Sequence, residues 1–443
     1  MKSKIFVALA LATTLSGCGI FGGGGESKHP KTAVLGERIP VLASSSDAEV
    51  DPGLADAAVA VPAPQVNPAW AQPGGNASKS VGNPSLAPAL SRAWTARIGK
   101  SSARARFAAA PTIAAGRVYV VDTDAVVHAL ALRSGARIWE TALSTRKKEK
   151  PSRFGGGVSF EDGKVYATDG LGDAAALDAA TGKLLWKVRP AGPLRGAPTI
   201  GNGAAYVVTQ DNQIFALGLD KGDTIWTASA TLETAGVFGV AAPAIGQGTV
   251  VAGFSSGELS ALRYENGRIV WQDQLSRTSI STSVASISDV DASPVIDGGR
   301  VYAIGQGGRM VAMDLTSGQR LWELSIGGIN TPWLAGDWVF VVTDEAKLLC
   351  IQRNTGKIRW IAQLPRWRDP KKKNNPIEWS GPILAGGRLL VTSTEGQLMN
   401  VAVADGALGT AVKKAGKAFF LAPVVADNTL ITLDTDGAVT AWR

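Results

Sequence analysis

The sequence is poor in the residues that build metal and redox sites. It contains two cysteines, Cys18 and Cys350, and two histidines, His29 and His128, and no two of them are close together in the chain. A structural zinc site needs about four such ligands at short spacings, and a redox dithiol needs a nearby pair of cysteines. The sequence therefore predicts no metal and no cofactor.

Long apolar runs and clusters of one charge are also scarce. The apolar run from Ile5 to Ala12 is much shorter than the roughly 20 residues that cross a bilayer. The formal net charge is +8 over 443 residues, which is modest. Lysine and arginine are not interleaved with aromatic residues as they are on nucleic-acid-binding surfaces, so no nucleic-acid partner is expected.

The stretch from Met1 to Gly17 has the layout of an export signal. Lys2 and Lys4 precede the short apolar run, and small residues follow it, as in a secretory signal peptide. The ending Leu-Ser-Gly-Cys resembles the signal of bacterial lipoproteins. The resemblance implies cleavage before Cys18, lipid attachment to Cys18 and transfer to the outer membrane. A plain signal peptide with an incidental cysteine is the alternative.

Three regions are predicted along the chain. Residues 1–17 form the signal peptide, residues 18–85 contain the lipidated cysteine and a flexible tether, and residues 86–443 form the folded domain. Glycine, alanine, proline, serine and aspartate dominate residues 19–85. A segment of this composition buries too little apolar surface to order itself.

Glycine is abundant, and it recurs together with tryptophan at a fixed spacing. The chain has 52 glycines, and the phrase Gly-x-x-x-Trp occurs six times, as in "TGKLLW" and "NGRIVW". The interval from the start of a unit to its tryptophan position is the same in every complete unit, and the starting residue is a proline in all but the second. The column consists of Trp139, Trp186, Trp226, Trp271, Trp322 and Trp360, with Thr410 in the seventh unit.

Each unit is predicted to form four short strands joined by three tight turns. Glycine and asparagine recur at the turn positions, and runs such as "RVYVVD" between them alternate and are β-branched. A radially repeated unit of about 45 residues with four strands is a propeller blade. We expect the tryptophans to be structural and to pack between neighbouring blades.

The two ends of the repeat complement each other. Seven complete units are followed by a partial unit that ends at Arg443 without a fourth strand, whereas an unassigned strand around Trp94 precedes the first unit. The sequence therefore predicts an all-β, eight-bladed β-propeller with four antiparallel strands per blade. The N-terminal strand joins the C-terminal blade and closes the ring, which removes unpaired edges.

The repeat resembles two branches of the quinoprotein-like propellers. The motif [ST]-G-x-x-x-W carries this resemblance from Trp94 to Arg443. The first branch, the pyrroloquinoline-quinone dehydrogenases, implies an adjacent pair of cysteines and a bound calcium, whereas Cys350 stands alone. The second branch is the BamB family of non-catalytic lipoproteins in the outer-membrane β-barrel assembly (BAM) machine. The lipoprotein signal, the tether and the eight-unit repeat resemble the layout of this second branch.

The same resemblance implies a partner-binding site. The stretch "SISDVDASPVI" is similar to the Ser-Asp-Val-Asp-x-x-Pro stretch of the BamB family, in which the two acids are implicated in contact with the barrel-forming subunit BamA. Here they are Asp289 and Asp291, and ordinary loop acids that close a turn are the alternative. The Leu-x-Leu-Arg stretch of the family is placed by register on Ala235, Val237 and Phe238, where the arginine is missing.

The basic loop of residues 366–379, "RWRDPKKKNNPIEW", could contact a partner or an anionic lipid surface, and a solvated loop is the alternative. The sequence thus predicts a monomeric scaffold without catalytic residues. It would be lipid-anchored at the outer membrane, face the periplasm and bind a BamA-like subunit and its complex. A quinoprotein dehydrogenase and a periplasmic propeller scaffold outside barrel assembly remain as alternatives.

Overall fold

Nearly all regular structure in the described residues is β-structure. The computed structural model describes residues 48–102, 105–144, 155–232, 240–275, 289–306, 308–412 and 415–443. Within these ranges one short 3-10 helix, Pro52–Leu54, accompanies 33 strands. No helix in this part of the chain is long and apolar enough to cross a membrane.

The strands form eight antiparallel sheets, which are the eight blades of the predicted propeller. Blades 1 to 4 are β2 Thr112–Ala114, β3 Arg117–Val121, β4 Val126–Ala131, β5 Arg137–Ala142; β6 Gly156–Glu161, β7 Lys164–Asp169, β8 Ala174–Asp178, β9 Leu184–Val188; β10 Thr199–Gly201, β11 Ala204–Val208, β12 Gln213–Gly218, β13 Thr224–Ser229; β14 Ala244–Gly246, β15 Thr249–Gly253, β16 Glu258–Arg263, β17 Ile269–Gln274. Blades 5 to 8 are β18 Val295–Asp297, β19 Arg300–Gly305, β20 Arg309–Asp314, β21 Arg320–Leu324; β22 Trp333–Ala335, β23 Trp338–Val342, β24 Lys347–Gln352, β25 Ile358–Gln363; β28 Trp379–Ala385, β29 Arg388–Ser393, β30 Leu398–Ala402; β31 Val424–Ala426, β32 Thr429–Leu433, β33 Ala438–Trp442 and β1 Arg92–Arg97. A small hairpin of β26 Trp367–Asp369 and β27 Asn374–Pro376 lies between blades 6 and 7.

The N-terminal strand closes the ring, as predicted. Strand β1 pairs antiparallel with β33, from Arg92 opposite Trp442 to Arg97 opposite Ala438. Reciprocal backbone hydrogen bonds of 2.7 and 3.0 Å between Ser91 and Arg443 extend this pairing to the last residue. Blade 8 therefore has its four strands from both ends of the chain, and the ring has no open seam there.

Alternation along the strands gives every blade two apolar faces. In β3, Val118 and Val120 belong to the apolar cluster shared with blade 8, whereas Tyr119 and Val121 belong to the cluster shared with blade 2. Successive side chains of a strand point to opposite faces, so a β-branched alternating strand can pack on both neighbouring blades. The core of the ring is thus a series of interfaces between blades.

The repeated tryptophans lie at these interfaces. Each indole Nε1–H donates to the carbonyl that follows the third strand of the next blade. The pairs are Trp94 with Leu132 (2.9 Å), Trp139 with Ala179 (3.1 Å), Trp186 with Leu219 (2.9 Å), Trp226 with Tyr264 (2.7 Å), Trp271 with Leu315 (2.8 Å), Trp322 with Arg353 (2.9 Å) and Trp360 with Val403 (2.9 Å).

The glycine of the repeated phrase also contacts the tryptophan of the preceding blade. Gly267, for example, has a φ of +70°, and a Cβ atom there would lie 2.5 Å from the ring of Trp226. The seven glycines that receive the seven tryptophans, in the same order, are Gly135, Gly182, Gly222, Gly267, Gly318, Gly356 and Gly406. The phrase therefore encodes both halves of a contact, one for each neighbouring blade.

Blade 7 departs from the predicted four regular strands. After β30, its outer edge is described only by the isolated bridges Leu398–Val412 and Val401–Leu408. Its tryptophan position is Thr410. Blade 8 is completed by β1, so no turn joins its last two strands and no turn glycine is there to receive an indole. A tryptophan in blade 7 would have no such contact, which accounts for the exception.

Residues 48–85 differ from the expected flexible tether. Trp70 is buried and stacks on Trp333 with the ring centroids 5.8 Å apart, and Gln72, Lys79 and Asn83 are also buried. This segment packs on the propeller through backbone hydrogen bonds as well as through apolar contacts such as those of Trp70. An argument from composition counts only apolar surface, so it missed this order.

Candidate functional site

The channel at the centre of the ring contains a small cavity. Its volume is about 190 Å³, and its wall consists mainly of residues that immediately precede the inner strands, such as Ala109, Ala197 and Val240. Trp70 and Lys79 also line it, from the segment that precedes β1. The cavity therefore lies between residues 70–79 and the loops that lead into the inner strands.

The two predicted acids lie among these loops, close to Arg195. The Arg195 Nη2 donates to Asp289 Oδ1 at 2.7 Å and to Asp291 Oδ1 at 3.0 Å. The side chains of Arg195 and Asp289 have no exposed surface, and that of Asp291 is almost covered. We call these three residues the ion cluster. It joins the loop before blade 3 to the loop before blade 5.

Backbone contacts fix the position of Arg195. Its N–H donates to the Val208 carbonyl at 2.8 Å, and its carbonyl accepts from the Gly156 N–H at 2.9 Å. The following residue, Gly196, lies against the backbone of Val240, where a Cβ atom would overlap the Val240 carbonyl oxygen. The arginine is thus placed by three blades before its side chain reaches the acids.

Burial dominates the electrostatics of the ion cluster. It raises the pKa of Asp289 against the opposing effect of Arg195. It also raises the pKa of Asp291 to about 6, with a further contribution from the negative charge of Asp289. One arginine faces two carboxyl groups, so a proton held by one of them near pH 6 leaves a neutral cluster.

The ion cluster does not use all of its hydrogen-bonding capacity. Within the described part of the chain, Arg195 Nε and Nη1 and Asp289 Oδ2 are buried without a hydrogen-bond partner. A buried polar atom without a partner is costly, and such atoms are uncommon in folded proteins. The loops at this end of the channel are therefore joined by two ionic hydrogen bonds, beside which these three buried polar atoms stay unpaired.

The structure describes some of the predicted site residues, and others lie outside the described ranges. It brings Asp289 and Asp291 together, but the carboxyl group of Asp289 is covered and bound, which does not fit the expected direct contact with a partner. Asp291 is covered almost as completely. The other predicted positions lie outside the described residues; they are Cys18, Ala235, Val237 and Phe238. The tip of the basic hairpin, residues 371–376, is exposed.

Sequence reasoning missed Arg195, although the repeat contained a signal for it. Arg195 and Asp291 each lie three residues before the first position of their unit, Pro198 and Pro294. Val240 has the same place before Pro243, and its backbone N–H bonds to the Asp291 carboxyl group. Arg195, which follows Leu194, thus lies one interblade loop earlier than the positions that the register gave to the Leu-x-Leu-Arg stretch.

Groups of metal-binding residues are not found in the described ranges. No set of three or more histidine, cysteine, aspartate or glutamate side chains there is arranged to hold a metal ion. His128 is buried in β4, with its Nε2 2.9 Å from Asp122 Oδ2. Cys350 is buried in β24, and burial raises the pKa of its thiol.

Comparison with known proteins assigns a family to this architecture. A family model described as "Outer membrane protein assembly factor BamB" matches residues 91–145 and 123–362, which is more than half of the chain. The outer membrane protein assembly factor BamB of Moranella endobia is 27% identical over 354 residues, covering 79% of this chain and 89% of the relative.

Solved structures share the fold. The crystal structure of BamB from Moraxella catarrhalis superposes with a TM-score of 0.68 at 20% identity, covering 80% of this chain and all of that one. The quinohemoprotein alcohol dehydrogenase of Comamonas testosteroni superposes with a TM-score of 0.66 at 15% identity, covering 85% of this chain and 80% of that one. At these identities the two structures show a common propeller and nothing further.

Proposed function

The chain belongs to the outer membrane protein assembly factor BamB family, and from this premise we propose that it is a non-catalytic scaffold for outer-membrane protein assembly. It holds the periplasmic part of a BamA-like barrel-forming subunit on the end of the propeller that carries the ion cluster. Its mechanism is binding and orientation, and no bond is made or broken. The observation that carries the proposal is the Arg195–Asp289–Asp291 cluster, which joins loops of separate blades into one surface.

The ion cluster acts on a partner by positioning these loops. Asp289 and Arg195 are fully covered, so they set the shape of the surface rather than touch the partner. Exposed apolar residues lie on other interblade connections: Leu232, which follows β13, is 66% exposed, and Ile329, which precedes β22, is 44% exposed. A partner that docks at this end would cover these two side chains, which makes them probes of the proposed interface.

The proposal also places the protein in the cell. A lipid attached to Cys18 would hold it at the outer membrane, and the propeller would face the periplasm. The lipoprotein-type stretch that ends at Cys18 supports this location, as does the family name. Two or more acyl chains provide a stable anchor, whereas one chain alone gives marginal binding.

A pull-down from the native envelope tests the scaffold function. The full-length protein is solubilised in mild detergent, and everything that it retains is identified by mass spectrometry. We expect recovery of the barrel-forming subunit. The variants Leu232→Asp and Ile329→Asp should reduce that recovery at least tenfold, because each places a charge where the partner packs. Recovery of no barrel-assembly subunit would contradict the proposal.

A matched control separates the docking surface from general effects of an added charge. Leu321 lies on the outer strand β21 and is 42% exposed, close to the exposure of Ile329. The variant Leu321→Asp should retain the partner as the wild type does. An equal loss of partner recovery in all three variants would contradict a docking surface at the end of the propeller that carries the ion cluster. A search of the purified protein for bound quinone and calcium tests the dehydrogenase alternative, which predicts both.

A further inference from the structure

The inner strands of the ring present to the channel backbone groups that no strand of their own sheet can pair with. Each inner strand is the edge of its sheet, and an edge strand offers a row of N–H and C=O groups for pairing. In blades 1 to 5, the residue two positions after the start of the unit donates its N–H to an acceptor that does not belong to its own sheet. These residues are Ile113, Phe160, Ile200, Ile245 and Ile296.

Residues 67–84, which we call the plug, pair with these groups in one circuit of the ring. The plug contacts every blade, in the order 8, 1, 2, 3, 4, 5, 6 and 7. The hydrogen bonds are Asp427 N–H to Asn67 O (2.8 Å), Ile113 N–H to Trp70 O (2.9 Å), Phe160 N–H to Ala71 O (2.7 Å), Ile200 N–H to Gln72 Oε1 (2.8 Å), Ile245 N–H to Ala77 O (2.8 Å), Ile296 N–H to Ser78 O (2.9 Å), Trp333 Nε1–H to Gly82 O (2.8 Å) and Gly386 N–H to Pro84 O (2.7 Å).

Side chains of the plug also contact the ring: the Asn67 amide donates to the Val425 carbonyl at 3.1 Å, and Asn83 Oδ1 accepts from the Gly387 N–H at 3.2 Å. Trp70 stacks on Trp333 with an angle of 19° between the rings. The Gln72 amide donates to the Ile200 carbonyl at 3.0 Å and completes a two-way bond with that residue. Lys79 donates to Thr199 Oγ1 at 3.0 Å and is the plug's one charged residue. Main-chain carbonyl groups, which every polypeptide carries, nevertheless accept seven of the eight hydrogen bonds that follow the circuit of the ring.

We propose that this end of the channel is a binding site for an extended polypeptide, and that the chain fills it with its own residues 67–84. The ligand class is an unfolded segment with small residues and one aromatic side chain, which supplies carbonyl oxygens to the ring of N–H donors. A segment of another protein exchanges with the plug at this site. The site lies across the cavity from the ion cluster, and its N–H donors belong to residues other than Leu232 and Ile329 of the proposed docking surface.

Two features of the structure favour exchange over a permanent seal. The BamB family match begins at residue 91, and the eight blades are complete from residue 92 onward, so the ring closes through residues that follow the plug. The plug is also held without an ion pair in the described residues: Lys79, its one charge, donates to a neutral hydroxyl group. Neutral hydrogen bonds and one stacked ring can be replaced by another polypeptide of similar shape.

A peptide-binding experiment tests the site. In the full-length protein, residues 67–84 are replaced by a glycine–serine stretch of equal length. The probe is a fluorescently labelled synthetic peptide of residues 65–86. We expect one-to-one binding to the replaced variant, at least 100-fold weaker binding to the wild type, and at least tenfold weaker binding of a probe with Trp70→Ala. An unlabelled, permanently unfolded polypeptide should displace the probe. A probe that does not bind, or that no unfolded polypeptide displaces, would overturn the proposal.

Hydrogen exchange provides a second test that does not need the replacement to fold. In full-length Trp70→Ala, the amides of Ile113, Phe160, Ile245 and Ile296 should exchange at least tenfold faster than in the wild type. Amides of the third strands, such as Ala216 in β12, should be unchanged. Excess peptide of residues 65–86 should restore the protection. If the four amides exchange only together with Ala216, the plug leaves only when the ring unfolds, and the proposal fails.

Discussion

The two ends of the channel differ in the kind of bond that joins their parts. At one end, the plug offers neutral carbonyl groups to neutral N–H groups, one or two for each blade. At the other end, one guanidinium and two carboxyl groups join the loops before blades 3 and 5. Many weak, similar hydrogen bonds can be made by one polypeptide in place of another, whereas a buried ion cluster specifies particular residues, since removal of one partner alone leaves an uncompensated buried charge. The plug end is therefore suited to binding polypeptides in general, and the end with the ion cluster is suited to presenting a surface of fixed shape.

The largest expected effect comes from removing the cation of the ion cluster. Arg195→Met leaves two buried carboxyl groups without a counterion and should lower the free energy of unfolding by about 3–5 kcal/mol at pH 7.5. Urea unfolding of the purified propeller measures this. The triple variant with Asp289→Asn and Asp291→Asn should recover most of the loss, since no buried charge remains. An equal loss in both variants would mean that packing, and not charge, holds this end.

The buried lysine of the plug gives the next largest effect, and it depends on pH. Burial lowers the pKa of Lys79 from 10.5 to about 7. Between these values the unfolded chain holds a proton that the folded chain lacks, so the free energy of unfolding rises with pH in that window. Lys79→Met should therefore stabilise the protein by up to about 4 kcal/mol below pH 7, and the gain should vanish towards pH 10.

Surface lysines provide the comparison for this experiment. Lys164 pairs with the exposed Asp220 at 3.2 Å, and Lys164→Met should change stability by less than about 1 kcal/mol at every pH. Urea unfolding at pH 6, 8 and 10 for both variants separates the two cases. A gain from Lys79→Met that stays constant across this range would show that its amino group keeps an ordinary pKa in the folded protein.

The ion cluster should respond to pH with the opposite sign. The pKa of Asp291 is raised from 3.8 to about 6, so the folded chain holds a proton between these values that the unfolded chain has lost. Stability contributed at this site therefore falls as pH rises through that window. Relative to Asp291→Asn, the wild type should lose about 2–3 kcal/mol between pH 4 and pH 7. Asp220→Asn, at an exposed carboxylate, is the matched control in the same unfolding series.

The fold could be predicted from the sequence because each blade repeats the same local contacts. The constant interval from unit start to tryptophan, together with the tryptophan column, gave the blade number and the closure through Trp94. Thr410 shows how closely the pattern follows the structure, since the one unit without tryptophan precedes the blade that lacks the receiving turn. Features that occur once per blade are visible as periodicity, whichever residues fill them.

The two channel ends could not be predicted in the same way, because neither repeats. Arg195 and Asp289 are 94 residues apart, and their contact depends on loops that differ from blade to blade. The family resemblance pointed to the two acids, but it did not point to Arg195, which lies in an earlier interblade loop than the stretch that it placed by register. Composition alone does not predict the plug. Many of its hydrogen bonds use the main chain, and its specific side chains, such as Trp70, lie in a segment rich in glycine and proline.

Two adjacent glycines in blade 7 offer the smallest and most local test of the plug. A Cβ atom on Gly386 would overlap the Leu86 carbonyl oxygen, next to the plug, whereas one on Gly387 would meet nothing within 4 Å. Both residues have positive φ, +57° and +76°, so alanine strains the backbone at either position by about 1 kcal/mol. Gly386→Ala should cost about 1–2 kcal/mol more than Gly387→Ala, because it also pushes the plug away. The difference should disappear in the variant with the replaced plug if residues 85–86 leave with it. Equal costs in the full-length protein would mean that this edge of the plug moves freely enough to accept a methyl group. The contact between the plug and blade 7 would then be weaker than the 2.7 Å hydrogen bond from Gly386 N–H to Pro84 O indicates.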